Sequence, residues 1–372
     1  MGHLFREAPP SSIEVVGAEG SYLIGKDGRK YLDFIMGWCV GNAGWNTKEI
    51  LDALRKFKGP NYVLPGYQYE RWEELAKELV RISPGKLKSV FRATGGTEAV
   101  ELALKISRAF NKRKKFIAFY DAYHGQSLAC LSLVGLHSDR FGSVLECLRL
   151  GIEDWEETRE KAVKAIKKEE ICAFISEPII CNLGVIVPPP SFYEAVQEAC
   201  KETNTAFIMD EVATGFGRTG KWFATEHYEL KPDIMTVAKG FSSGYGAIGA
   251  AMATEEFAES MRFGFSNYST FGWLPICVEA ALANIEYMKK RKLVEESARK
   301  GEYLKKLLCE FCEPEGKGLC VGFDTRNPAT GGKCYADGLL TAGSPNRMIL
   351  YPALDIEEEL LEGGVGIIKR NY

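Results

Sequence analysis

Histidine is scarce in this chain, four residues in 372, and net charge is nearly absent, with 50 acidic side chains against 47 basic ones. No apolar run approaches the roughly 20 residues needed to cross a bilayer, so no membrane partner is expected. Balanced charge argues against a nucleic-acid partner, and no block of lysine and arginine is long enough to offset it. The densest basic cluster, Asn111-Lys-Arg-Lys-Lys115, lies between a predicted helix and a predicted strand and reads as a solvated loop. The start, Met1-Gly-His-Leu-Phe-Arg, lacks the basic-then-apolar pattern of a signal peptide.

Cysteine is not scarce, but its pattern is not that of a disulfide framework. The eleven residues are an odd number and are scattered. Several fall in apolar strands (Cys130, Cys172) or helices (Cys200, Cys277), so reduced thiols in a cytoplasmic protein are expected. Cys309-Glu-Phe-Cys312 has metal-ligand spacing with Cys320 and Cys334 downstream, yet it closes an amphipathic helix and no second pair follows. No metal site is expected.

Hydrophobic residues make up 46% and charged ones 26%, the composition of an ordinary globular protein with room for a large unit and a smaller lobe. Short alternating segments over 13–36, joined by Gly and Asp turns, predict a small N-terminal meander. Helical periodicity covers 48–58 and 71–82, and Ser83-Pro-Gly85 stops the second helix. Strands at 89–92, 116–119, 173–176, 206–210 and 234–238 then alternate with helices at 97–111, 154–170 and 191–202. That alternation predicts a mainly parallel sheet covered on both faces, an α/β fold. Beyond Thr270 a long helix at 275–291 leads to short strands and a final helix near 357–368. We expect three parts: 1–50, an N-terminal segment of a small α+β lobe; 51–274, a large sheet domain; and 275–372, the C-terminal remainder of the lobe.

Ligands of such sheets bind beyond the carboxyl ends of the strands. Lys239 stands there, closing the apolar run Asp233-Ile-Met-Thr-Val-Ala-Lys239 before Gly240. A lysine is rarely buried without a partner, and desolvation favours the neutral amine that attacks carbonyls. A second run, Ala206-Phe-Ile-Met-Asp210-Glu211, ends in carboxylates. One lysine and one aspartate on neighbouring strand ends are what a Schiff-base cofactor enzyme needs.

Thr94-Gly95-Gly96-Thr97-Glu98 sits between a strand and an amphipathic helix. It is either an anion cradle, with backbone N–H groups and the Thr97 hydroxyl at a helix N-terminus, or a tight turn with threonine near the cap. Tyr123-His124-Gly125 follows the next strand, where an aromatic either packs or stacks on a flat ring. The company of Lys239 and Asp210 favours stacking. Gly215-Phe-Gly217-Arg-Thr-Gly220 matches the spacing of a dinucleotide fingerprint and, with Lys221, most of a P-loop. Trp222 stands where the P-loop needs a hydroxyl. Arg218 and Lys221 also break the fingerprint's small-residue face, so a nucleotide-binding protein stays a remote alternative.

Six motifs in this order resemble the class III aminotransferases, fold-type I enzymes that use pyridoxal 5′-phosphate: Thr94–Ala99, Tyr123-His-Gly125, Glu177-Pro178, the Asp210–Gly220 run, Ala238-Lys239-Gly240 and Ser269-Thr270-Phe271-Gly272. The resemblance implies a ping-pong transfer of an amino group from an amine or amino acid to a keto acid. It implies that Lys239 forms the Schiff base and then moves the substrate's Cα proton, and that Asp210 pairs with the pyridine nitrogen. Tyr123 and Val212 would face the two sides of the ring, with His124 and Ala213 beside it. Gly95, Gly96 and Thr97 would hold the phosphate. Thr270 would reach the phosphate of a neighbouring subunit, which implies a homodimer with its active site at the interface. Glu177 would stand near substrate and ring, while Trp38 and Gln126 would line the substrate pocket.

The departures concern substrate. Ala213 replaces the glutamine that many members place after Asp-Glu-Val, and Gln126 replaces the arginine after the aromatic-His-Gly motif of ornithine-like members. In Ile349-Leu-Tyr-Pro352-Ala-Leu354, Ile349 stands where such members carry a carboxylate-binding arginine, and Arg347 lies two residues earlier. Ile179-Ile-Cys-Asn182 follows Glu-Pro in place of Gln-Gly-Glu, a pattern similar to the glutamate-1-semialdehyde aminomutase branch. A racemase, epimerase or aminomutase on the same scaffold is the alternative, because a fold does not fix chemistry.

Overall fold

A computed structural model describes residues 13–135, 140–168, 170–263 and 267–372. Residues 1–6, where the sequence lacks a signal-peptide pattern, lie outside that set. The central feature is a seven-stranded sheet of β4 (Leu87–Ala93), β5 (Lys115–Phe119), β6 (Glu146–Leu150), β7 (Ile171–Ser176), β8 (Ala206–Asp210), β9 (Ile234–Val237) and β10 (Gly249–Thr254), in the order β4-β10-β9-β8-β7-β5-β6. The neighbours β9, β8, β7, β5 and β6 are parallel. Every residue of β7, β8 and β9 is buried. Continuous apolar runs of this kind are what a sheet covered on both faces requires.

β10 is the exception to parallel order, running antiparallel to both β4 and β9. Neither β10 nor β6 is among the predicted strands. Gly-Ala-Ala-Met-Ala-Thr has weak intrinsic strand preference, and the neighbouring strands decide its conformation. Small side chains let the Gly96–Asn111 helix lie close across it. At its start, a Cβ on Gly249 would stand 2.6 Å from the carbonyl oxygen of Gly95, so only glycine lets the strand pass that loop.

The meander is present as β1 (Val15–Glu19), β2 (Tyr22–Gly25) and β3 (Lys30–Asp33). Its fourth strand comes from the other end of the chain: β13 (Leu339–Leu340) pairs in parallel with β3. A third sheet joins β11 (Glu315–Lys317), β12 (Cys320–Asp324), β15 (Arg347–Leu350) and β14 (Ala342–Ser344). The two chain ends thus build one lobe, with helices Pro275–Lys290, Leu293–Leu308 and Glu358–Asn371 around it.

The glycine run after β8 has no helix opening inside it. Gly217 and Gly220 sit at φ of 82° and 83°, and the segment is a chain of turns. Arg218 between them is fully buried. Its Nη1 donates to the carbonyls of Leu319 (3.0 Å) and Pro352 (2.5 Å), and its Nη2 donates to Asn42 Oδ1 (2.7 Å). Asn42 in turn donates to the Phe216 carbonyl (2.8 Å). The apparent fingerprint is therefore a tie between large sheet and small lobe.

Removing that tie exposes three acceptors to a dry environment. Arg218→Ala should cost about 3 kcal/mol or more, at roughly 1 kcal/mol or more per orphaned buried group. Lys26→Ala, which removes an exposed pair with Glu14 (2.8 Å), should barely move stability. Denaturant midpoints of the two variants check the contrast, and equal midpoints would refute the tie.

Candidate active site

The carboxyl ends of β4, β5, β7, β8 and β9 converge on a cavity of about 450 Å³. The parallel register sets Asp210 opposite Thr236. The Thr236 hydroxyl donates to Asp210 Oδ1 (2.9 Å), and the Val212 N–H donates to the same oxygen (3.1 Å). Oδ2 faces His124 Nδ1 at 2.7 Å, and because a carboxylate accepts, Nδ1 is assigned the proton. Asp210 and His124 are 2% and 3% exposed, so this is a dry, oriented pair.

Lys239 closes β9 in a short 3₁₀ turn at φ 47°, a left-handed conformation that costs a non-glycine residue about 1–2 kcal/mol. Its side chain lines the cavity, and its amine has no hydrogen-bond or ion-pair partner among the described residues. Trp38 opposite is also left-handed, at φ 63°. Strain of this kind persists where the surroundings enforce it, commonly at functional sites.

Glu177 follows β7 and is fully buried. Burial pushes its carboxyl up to about 7, against the pull of His124 and Lys239 nearby. Its Oε2 accepts the Cys181 N–H (3.2 Å), while among the described residues Oε1 has no partner, and neither does His124 Nε2.

The anion cradle is built as well. Gly95, with fully extended backbone, is the N-cap of the Gly96–Asn111 helix and has no side chain to cap its first N–H groups. A Cβ on Gly96 would lie 2.9 Å from Val212 Cγ1, and one on Gly125 would lie 2.7 Å from Thr97 Oγ1. Thr97 Oγ1 accepts the Gln126 N–H (3.2 Å), which leaves the hydroxyl proton free to donate.

Ten of the sequence-predicted residues line this one cavity: Trp38, Gly96, Thr97, Tyr123, His124, Glu177, Asp210, Val212, Ala213 and Lys239. Gly95, Gln126 and Thr270 are not in the lining. Gln126 is exposed, and its Nε2 donates to the Tyr123 hydroxyl (3.4 Å). Thr270 is exposed on the segment before the Pro275–Lys290 helix.

The family model for class III aminotransferases matches residues 5–371. This chain belongs to that family. The aminotransferase is 35% identical over 376 residues to an acetylornithine aminotransferase of Archaeoglobus fulgidus, covering 98% of this chain and 97% of that protein. It is 33% identical to a putrescine aminotransferase of Pectobacterium atrosepticum, over 91% of this chain and 77% of that one. Among solved structures, a Bacillus anthracis aminotransferase superposes with a TM-score of 0.89 at 28% identity, covering 100% of this chain and 95% of that one. The expected fold and transamination activity stand.

Class III enzymes depend on pyridoxal 5′-phosphate, and the residues of this aminotransferase fit it. An unpaired amine, an oriented carboxylate, an uncapped helix start and two unpartnered polar atoms surround one space. Ala213 presents only a methyl group to the cavity and offers no side-chain hydrogen bond.

Sequence reasoning passed over Cys39 and Tyr351 as lining residues, and treated Cys181 and Asn182 only as pattern. Tyr351 had a signal: it stands two residues beyond Ile349, on the same side of an extended segment. Its hydroxyl donates to the Cys181 carbonyl (3.3 Å), and its ring meets Trp38 edge-on at 6.0 Å. Arg347 is occupied elsewhere. It donates to Gly184 O (2.8 Å), Asp324 (2.9 Å) and Glu315 (2.7 Å) beside an adjoining cavity of about 490 Å³ that shares Trp38 and Asn182 with the first. Among the described lining residues Lys239 is the one cationic side chain.

The raised Glu177 carboxyl sets a pH dependence. Its folded value, about 7, lies above the ordinary 4.5, so the folded state holds this proton more tightly than the unfolded chain. The associated stability is complete below about pH 4.5 and is lost as pH rises through about 7. In coenzyme-free protein, the melting temperature of wild type relative to Glu177→Gln should fall across that window. A constant difference would show that Glu177 titrates normally.

Proposed function

We propose that Lys239 carries pyridoxal 5′-phosphate as a Schiff base and that Asp210 holds the pyridine nitrogen protonated, in a ping-pong transfer from an amino donor to a keto acid. Bound there, the coenzyme supplies an electron sink for the pair left at the substrate's Cα after deprotonation. The observation that carries the reading is the Asp210 carboxylate, oriented by Thr236, Val212 and His124 on the strand next to an amine with no partner of its own among the described residues.

Each residue then has a task. The Lys239 amine takes the Cα proton and returns it on the other side of the transfer. His124 holds Asp210 in place by donating from Nδ1 to one carboxylate oxygen, with Thr236 donating to the other. The Tyr123 ring and the Val212 side chain enclose the flat group from its two sides. Gly95, Gly96 and the Thr97 hydroxyl donate to the phosphate, where the helix dipole adds to their pull. Trp38, Cys39 and Tyr351 form the wall that substrate meets and keep water from the reacting carbon.

Thr270, exposed and outside the lining, serves the phosphate of a second copy in this reading, which makes the working unit a homodimer. Exposed Phe271 (60%) and Tyr268 (53%) beside it support a covered surface there. The eleven free cysteines support a reducing, cytoplasmic setting. We place the domain divisions at residues 50 and 274, between the last strand of the N-terminal meander and the first of the large sheet, and between the large sheet's last strand and the Pro275–Lys290 helix.

Wild type supplied with the coenzyme should turn yellow, and borohydride should trap the adduct on Lys239. Lys239→Ala should show neither effect. Asp210→Asn should retain coenzyme yet lose on the order of 100-fold or more in kcat, the scale expected when an oriented charge is removed from a dry site. A colourless wild type, or an Asp210→Asn variant within a few-fold of wild type, would overturn the assignment.

A further inference from the structure

The cavity wall contains a second piece of chemistry that amino-group transfer does not use. Cys181, in the turn after β7, and Cys320, the first residue of β12, bring their sulfurs to 3.7 Å. They lie 139 positions apart in sequence, one beside the large sheet and one in the small lobe. The backbones around them are also close, because a Cβ on Gly322 would stand 2.1 Å from the Gly184 carbonyl oxygen. Both thiols belong to one buried apolar cluster that also holds Cys39, Ile349 and Tyr351. Cys181 lines the active-site cavity, so a small oxidant can reach it from that side, while Cys320 stands behind it and is fully buried.

We propose that Cys181 and Cys320 form a reversible disulfide that couples the oxidation state of this enzyme to its turnover. With a hydroperoxide as oxidant, the Cys181 sulfur attacks the peroxide. The O–O bond breaks, a sulfenic acid forms, and one water leaves. The Cys320 sulfur then attacks the Cys181 sulfur. The S–S bond forms as the S–O bond breaks, and the departing hydroxide takes the Cys320 proton as a second water. Two thiols are oxidised and one peroxide is reduced to two waters.

Closing the bond to about 2.05 Å pulls the sulfurs some 1.7 Å together. The Cys181 backbone connects that movement to the site, because its N–H donates to Glu177 Oε2 and its carbonyl accepts from the Tyr351 hydroxyl. Both partners line the cavity. A displacement of about an ångström in positioning groups costs up to roughly 100-fold in rate. The neighbouring Cys320 sulfur, and after it burial, push the Cys181 thiol well up, which keeps it protonated, so the pair responds to sustained rather than trace oxidant.

The loss of activity rests on the proposed assignment of the site, whereas formation of the bond does not, so peptide mapping and kinetics test the two separately. Holoenzyme treated with excess hydrogen peroxide should yield, under non-reducing digestion, a peptide linking Cys181 to Cys320. kcat/KM for the amino donor should fall about tenfold and return with dithiothreitol. Cys320→Ala should keep its basal turnover and resist peroxide. Oxidation of exposed Cys309 without the linked peptide would overturn the proposal, as would a Cys39–Cys181 link in its place. A linked peptide with unchanged turnover would overturn the coupling to activity.

Discussion

Asp210 lies opposite Thr236 across two parallel strands, and the rest of the site is arranged around that pairing. A buried carboxylate is tolerable only if its oxygens are satisfied and its charge has a use. Thr236, the Val212 N–H and His124 provide the first condition. The same register sets the strand carrying Thr236 to end at Lys239, so acid and amine face one space without direct contact. A one-residue slip would turn Thr236 away from Asp210, because strand side chains alternate between faces.

The sheet serves this arrangement by stopping five strands at one edge and covering both faces with helices. The antiparallel β10 lies between β4 and β9 and starts beside the loop before the Gly96–Asn111 helix, where Gly249 passes the Gly95 carbonyl. The small lobe is drawn from both chain ends and tied down by Arg218, whose guanidinium donates to backbone carbonyls and Asn42. That lobe contributes Trp38, Cys39 and Tyr351 to the cavity wall. The cavity wall is therefore built from both ends of the chain as well as from the strand ends of the large sheet.

Much of this was legible in the sequence because strand-end chemistry is local. Lys239 and Asp210 each close a continuous apolar run, and Gly96-Thr97 opens a helix with a clear buried face. Other features depend on long-range pairing that no local pattern encodes. His124 meets Asp210 across 86 positions, and Cys181 meets Cys320 across 139. β10 escaped because its alanines carry little strand preference, and its neighbours impose the conformation. The glycine run at 215–220 could be discounted as a nucleotide site from Arg218, Lys221 and Trp222, but its structural purpose shows only in the contacts of the buried Arg218.

The central claim is that the Asp210 carboxylate keeps the coenzyme's ring nitrogen protonated in the resting enzyme. NMR of holoenzyme loaded with coenzyme isotopically labelled at that nitrogen reads its protonation state directly. The account predicts a pyridinium signal that persists across neutral pH. A signal from an unprotonated ring in the intact holoenzyme would contradict it.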